Sequence, residues 1–139
     1  MTSLPDSVLT LLRTALPATV TVYDGQVPEQ PAARYVVLYC DTGTREALSA
    51  CGANDSATFR FQTTSVGSTP DLANSPAPIA RSLSRAVQNA LIDVPLTDDQ
   101  WKTGPTQHTY AQLPLRDEAV MDRAAVYIVD QFSALATRR

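Results

Sequence analysis

Residues 34–41, RYVVLYCD, decide the fold. Val36, Leu38 and Cys40 alternate with Tyr35, Val37 and Tyr39, and successive side chains of a strand point to opposite faces. Both faces are therefore apolar. A strand with two apolar faces belongs inside a sheet that is covered on more than one side. Working toward the C-terminus, residues 43–56 form a long polar connection carrying Gly43 and Gly52. Residues 57–65 (ATFRFQTTS) then set Phe59, Phe61 and Thr63 against Thr58, Arg60, Gln62 and Thr64, the alternation of a half-buried strand with a polar outer face. Working toward the N-terminus, Val27-Pro28-Glu29-Gln30-Pro31 is a connector, because two prolines lack the donors a central strand needs. Before it, residues 19–23 (TVTVY) are β-branched and read as a strand closed by the turn Asp24-Gly25.

Helices flank this strand-rich centre. Ser3 and Asp6 have the form of a capping box, Pro5 is tolerated in a first turn, and Val8, Leu9, Leu12 and Leu16 recur at helical spacing until Pro17. Residues 66–76, rich in Ser, Pro, Gly and Asn, read as a second long loop that ends with Ser75 capping a helix and Pro76 in its first position. Ile79, Leu83, Val87 and Leu91 then form an apolar stripe widened by Ala80, Ala86 and Ala90, with Arg81, Ser82, Arg85, Gln88 and Asn89 opposite. Residues 94–99 read as a turn region. Residues 101–112 and 123–132 read as two final strands, with a loop of mixed charge from Leu113 to Ala119 between them. The order is α-β-β-β-α-β-β. It predicts one α+β domain spanning residues 1–139, with a mostly antiparallel sheet of four to five strands and both helices on one face. The step through the second helix could add one parallel pair by a right-handed crossover.

Composition narrows the function classes. Leu, Ile, Val and Phe make up 32 of 139 residues, above the level of disordered chains, and two cysteines are no disulfide framework. No apolar run approaches the ~20 residues of a membrane span, so no membrane role is expected. The opening Met-Thr-Ser-Leu-Pro-Asp has no cationic, signal-like character, so no secretion signal is expected either. A net charge of −3 argues against a surface built to grip phosphate backbones. Among the cations ten are Arg and one is Lys; Arg suits planar carboxylate pairs and protein interfaces, although high-GC coding produces the same bias.

Catalytic and cofactor signatures are missing. His108, the single histidine, lies in an alternating run without a nucleophile-elbow motif anywhere in the chain, and reads as an exposed strand residue. Cys40 and Cys51 with one histidine cannot build an ordinary zinc site. Cys40 reads as a small core hydrophobe and Cys51 as a loop thiol, with a disulfide between them as the alternative. The five glycines form no phosphate cradle, and the acids at Asp93, Asp98, Asp99 and at Asp117, Glu118, Asp122 lack calcium-loop spacing. No catalytic residue, cofactor or metal is expected. Arg81 and Arg85, like charges one helical turn apart, are either solvated or aimed at carboxylates on another surface.

The order of motifs is similar to that of a known family. Val22-Tyr-Asp-Gly-Gln-Val-Pro28 leads into Ala33-Arg-Tyr-Val-Val-Leu38, then Phe59-Arg-Phe-Gln-Thr-Thr64, the helix Ile79–Leu91, Leu115-Arg116-Asp117 and finally Arg123–Val129. Over nearly its whole length the chain resembles the tail terminator (tail completion) proteins of long-tailed double-stranded DNA phages, notably those of actinobacterial hosts. The resemblance implies a structural virion protein at the head–tail junction and no enzymatic site. It implies a homohexameric ring that caps the last ring of the major tail tube protein, stops its polymerisation and meets the head-tail connector or head-closure protein. A domain of this length has an equivalent diameter of about 37 Å, so six in a ring enclose a hole of about the same width. Duplex DNA, roughly 20 Å wide, would pass through the lumen without specific binding. Ring contacts are heterologous. The long loops 43–56 and 66–76 are expected to reach neighbours, with Arg45, Glu46, Arg60, Arg81, Arg85, Arg116 and Asp117 as interface candidates. A head-closure or tube protein of the same virion is the nearer alternative. A small enzyme or ligand-binding domain built around His108 or Trp101 is the more distant one.

Overall fold

The computed structural model describes residues 3–41, 43–46, 56–70, 74–118 and 123–139. The elements run α1 (Leu4–Ala15), β1 (Thr21–Asp24), β2 (Arg34–Cys40), β3 (Thr44–Glu46), β4 (Ser56–Thr69), α2 (Ala77–Leu91), β5 (Pro95–Thr97), β6 (Trp101–Pro105), β7 (Gln107–Ala111), β8 (Leu115–Arg116) and β9 (Ala124–Arg138). The class is α+β as expected. Among the described residues, however, the sheet has nine strands and is mixed, in the order β1-β2-β4-β9-β6-β5, with β3 beside β4 and β7 and β8 beside β9.

Four to five strands was too few because short pairings hide inside segments that read as loops. β3 lies in the polar connection 43–56, β5 in the turn region and β8 in the charged loop. The run 101–112 is broken at Thr106, which turns away to exchange backbone bonds with Asp93 and Val94, so β6 and β7 meet β9 separately. The parallel pair also falls elsewhere than expected. α2 connects β4 to β5, which are not neighbours, whereas β1 lies parallel to β2 across the proline-bearing connector 25–33. Two long antiparallel strands dominate: β4 and β9 pair continuously from Ser56–Thr137 to Thr69–Ala124. β4 thus runs through residues 66–69, which the sequence reading had placed in a loop.

The register assigns the faces. Val36 and Leu38 of β2, Phe59, Phe61, Thr63, Ser65 and Gly67 of β4, and Val126, Ile128, Asp130 and Phe132 of β9 share one side. Both helices cover that side. Leu4, Val8, Leu9 and Leu12 of α1 and Val87 and Leu91 of α2 close the main core over Phe59, Phe61 and Phe132. Phe61 stacks on Phe132 with ring centroids 5.2 Å apart. α1 forms as its sequence dictates. Ser3 Oγ accepts the Asp6 N–H at 3.3 Å and the Asp6 carboxylate accepts the Ser3 N–H at 3.1 Å, a reciprocal cap. α2 begins one residue later than expected, with Pro76 as the cap residue, and Ser75 Oγ accepts the Ala77 N–H at 3.2 Å.

α1 also meets both ends of the sheet. Gly25 N–H donates to Leu38 O, so the odd-numbered residues of β1 bond β2 and the carbonyl of Val22 points to the open edge. Arg13 Nη2 donates to that carbonyl at 3.1 Å. At the opposite edge, Ser7 Oγ donates to Thr97 O of β5 at 2.6 Å. One helix therefore bonds both outermost strands of the main path, β1 and β5. Unpaired edges are templates for strand addition, and covering them is the usual remedy.

Candidate functional site

With both helices on one side, the other face of the sheet carries no helix; around Val37, Val66 and Ala125 it is buried, and around Tyr39, Arg60, Gln131 and Leu135 it is exposed, the bare part of the face. Tyr35, Val37 and Tyr39 of β2, Thr58, Arg60, Gln62 and Thr64 of β4, and Tyr127, Val129, Gln131, Ser133 and Leu135 of β9 point to this helix-free face. Among the described residues the exposed large hydrophobic ones are Tyr39, Tyr110, Leu113, Leu115 and Leu135, and the register sets Tyr39, Tyr110, Leu115 and Leu135 on this face. Leu113 is 81% exposed in the link between β7 and β8. Two adjoining hollows of about 620 and 530 Å³ cross the face and share Thr58 and Ser133. Arg60 and Asp41 bring charge to the first, Lys102 to the second. Asp41 Oδ1 is held by the backbone N–H groups of Gly43 and Arg60, each at 3.0 Å. Farther along the face Tyr23 packs edge-on to Tyr35 at 5.5 Å. Burial pushes the Tyr35 phenol up; the Arg123 guanidinium opposes this, and the charges of Asp117, Tyr23 and Tyr39 add to it.

A second constellation lies beneath the helices. Asp130 is fully buried opposite Thr63. Its carboxylate accepts Ser84 Oγ–H at 2.6 Å and Gln88 Nε2–H at 3.0 Å from α2, and meets His108 Nε2 of β7 at 2.9 Å. His108 packs tilted against Phe132, ring centroids 5.1 Å apart and planes 42° from parallel. The exposed strand histidine of the sequence reading is thus a partly buried, paired one. Serine, histidine and aspartate do meet here, but the wiring is not that of a nucleophilic triad. In a triad the histidine takes the serine's proton and the aspartate orients the histidine. Here the Ser84 hydroxyl donates directly to Asp130 and lies buried under α2, so His108 is not its base. The arrangement fastens helix to sheet.

The interface candidates fall in four places. Arg60 lies exposed on the bare face, opposite Ser133. Arg81 and Arg85 are exposed on α2, on the helical side of the molecule. Arg116 lies on β8, and Asp117 follows it with its N–H donated to Ala125 O at 2.9 Å. Arg45 and Glu46 lie on β3, in register with Ala57 and Ser56. They do not gather into one patch. The rest of the expected loop 43–56, including Cys51, and residues 71–73 lie outside the described residues. Cys40 is a free, partly buried thiol packed against the core, as its strand position predicts, and burial pushes it up to about 12. Among the described residues no cluster of three or more His, Cys, Asp or Glu could hold a metal ion, and no helix is long and apolar enough to cross a membrane.

Sequence reading missed Tyr39, Leu135 and Leu113 as surface features and Asp130 as a buried one. The signal for Asp130 was present: Ala124, Val126, Ile128, Asp130 and Phe132 alternate, which sets one acid on the apolar face of a strand. Neither a family model nor a curated protein matches the sequence. Solved structures do share the fold. A chain of the "Virion of native gene transfer agent (GTA) particle" superposes with TM-score 0.67 at 20% identity, covering 97% of this chain and 95% of that one. A second solved chain, whose name states no function, superposes with TM-score 0.52 at 16% identity, covering 93% of this chain and 94% of that one. From end to end, the fold is one that a chain of a gene transfer agent virion also adopts.

Proposed function

We propose that this chain is a structural virion protein of the tail-terminator kind. Its 139 residues act as one domain, and six copies close into a ring that caps the tail tube, ends tube polymerisation and joins the tail to the head connector at the head–tail junction. The superposition on a virion chain over 97% of the sequence carries this reading, because it involves the whole fold and not one shared motif. The bare part of the sheet face supports it: aromatic and aliphatic side chains with Arg60 and Asp41 among neutral polar groups is the composition of a protein interface. A non-enzymatic role is supported by the way Ser84 and His108 both turn to Asp130. In this reading Arg45, Glu46, Arg60, Arg81, Arg85, Arg116 and Asp117 contribute contacts between copies or to tube and connector, and DNA passes the lumen without specific binding.

The test adds purified protein to polymerising tail tubes and images both, together and apart, by negative-stain microscopy. Six-membered annuli seated on tube ends, with elongation arrested, are the expected result. Tubes that elongate unchanged with no annulus at their tips would refute the reading, and tubes built by this protein alone would make it the tube protein instead.

A further inference from the structure

We propose that the bare face of one copy is the socket for the Leu113–Glu118 segment of a second copy, and that repeating this contact builds the ring; the inference rests on the ring reading above. The other surfaces are poor candidates. The two outermost strands of the main path, β1 and β5, each give a backbone carbonyl to α1, through Arg13 on Val22 O and Ser7 on Thr97 O, which makes them poor templates for strand addition. The outward side of α2 presents Arg81, Ser82, Arg85 and Asn89, with no apolar anchor and no acid. The sheet face holds the hollow of about 620 Å³, walled by Tyr39, Asp41, Arg60 and Gln131 with Leu135 just beyond; the Asp41 carboxylate is already held by the backbone N–H groups of Gly43 and Arg60, which leaves the Arg60 guanidinium as the charge offered to a partner. Tyr39 and Leu135 are 43% and 52% exposed, apolar groups of the kind that become anchors when covered.

The same chain carries a plug that fits. Leu113 is the most exposed large hydrophobic residue among those described. Pro114 fixes its own backbone and keeps Leu113 extended, so little conformational freedom is lost when the segment docks. Glu118 is exposed at the far end of the segment and complements the Arg60 guanidinium in the socket. Plug and socket are different surfaces, so the contact is heterologous. Such a contact continues from copy to copy and closes when the rotation permits.

The experiment uses the full chain in a concentration series followed by native mass spectrometry and sizing. Leu113→Asp, Arg60→Glu and Glu118→Arg should each raise the concentration of half-assembly at least about ten-fold, the effect of losing one anchor. Arg60→Glu and Glu118→Arg combined in one chain should return assembly close to that of the unaltered protein, because every contact again pairs opposite charges; this recovery also shows that the single changes did not unfold the subunit. A mixture of the Leu113→Asp and Arg60→Glu chains should yield one-to-one pairs and no rings, since only one socket–plug combination is intact. Single variants that assemble normally, a combined variant that fails with its fold intact, or an unaltered chain that stays single with and without tubes would overturn the proposal. Rings that depend on this contact but leave tube growth unchecked would refute the terminator reading and leave the contact standing. Rings that cap tubes regardless of Leu113 would do the reverse.

Discussion

Among the described glycines, Gly67 is the one where an added methyl group would meet the closest contacts. It sits in β4 opposite Val126, where α2 crosses the sheet, and a Cβ built on it would lie 2.8 Å from Cβ and Cγ2 of Ile79 and 3.0 Å from the backbone N of Ala80. Carbon atoms rest about 3.5–4.0 Å apart, so Gly67→Ala requires the helix to lift by roughly 0.7 Å or more. The helix is poorly placed to lift. Ala80, Val87 and Leu91 are fully buried beneath it, and Ser84 and Gln88 are tied to Asp130. Inserting a methyl group into such a contact costs about 1–3 kcal/mol. The lower entropy of the unfolded Ala chain returns about 0.4–1 kcal/mol. The net is a loss of about 1–2 kcal/mol, or a fall of roughly 3–8 °C in Tm at this chain length. Thermal and urea unfolding followed by circular dichroism measure it, and a lower midpoint with an unchanged m-value is expected. Gly104→Ala is the internal control: nothing lies within 4 Å of its Cβ position, and its midpoint should stay within about 0.5 kcal/mol of the original. Adding Ile79→Ala removes one of the clashing atoms, so the double variant should lose less than the sum of the singles. A Gly67→Ala protein as stable as the original would refute the argument that this strand glycine exists to let the helix approach.

Asp130→Ala leaves Ser84, Gln88 and His108 without their common acceptor and should destabilise the fold by about 3 kcal/mol or more; Asp130→Asn, which keeps one acceptor oxygen, should cost less, and urea midpoints that leave both near the original would contradict the assigned role. Ser3→Ala removes the α1 cap and should cost about 1 kcal/mol in the same assay. The side-chain and backbone bonds from Ser3 hold the Asp6 carboxyl below its ordinary 3.8, so Asp6 contributes stability that is complete above that value and lost as pH falls through the lower folded one; the Ser3→Ala chain should show a shallower loss of stability on acidification over that range. Burial holds the Cys40 thiol at about 12, with the charges of Asp24 and Asp41 adding to the effect. Its contribution to stability is complete below the ordinary 9.0 and declines as pH rises from there toward 12. Alkylation at Cys40, read by peptide mass, should therefore be slow at pH 8 in the folded chain and fast in urea; rapid labelling of the folded chain would show an accessible thiolate.

What could be read from the sequence was what local spacing encodes. The Ser3–Asp6 capping box, the stripe from Ile79 to Leu91 and the alternation of residues 34–40 each specify their element within one stretch of chain, and each forms as expected. The failures share one cause, partners distant in sequence. Residues 66–69 carry the Gly and Ser of a loop, yet they form strand because β9 supplies a continuous ladder and α2 needs the missing Cβ at Gly67. The parallel β1–β2 pairing joins segments across a proline-bearing connector that gives no local sign of it. His108 and Asp130 are 22 residues apart, and only the sheet brings them together. The bare face was illegible for another reason. Tyr39 and Leu135 look like core residues in an alternation, and only the position of the helices shows which side of the sheet is covered.

The guarded edges, the buried carboxylate and the bare face answer one physical problem. A sheet with sticky side chains and open edges would add strands without limit. α1 blunts that route at the two outermost strands, with Arg13 on β1 and Ser7 on β5, and leaves the exposed side chains of the helix-free face for docking. That face keeps a defined shape only if the sheet does. Apolar packing alone is non-directional and tolerates sliding of a helix over a sheet. Ser84 and Gln88, one helical turn apart on α2, both donate to Asp130 on β9. A slip by a single residue would leave that carboxylate buried without its donors, at a cost of several kcal/mol. The polar contact beneath the helices thus fixes α2 over the same two long strands, β4 and β9, that floor the hollows on the opposite side.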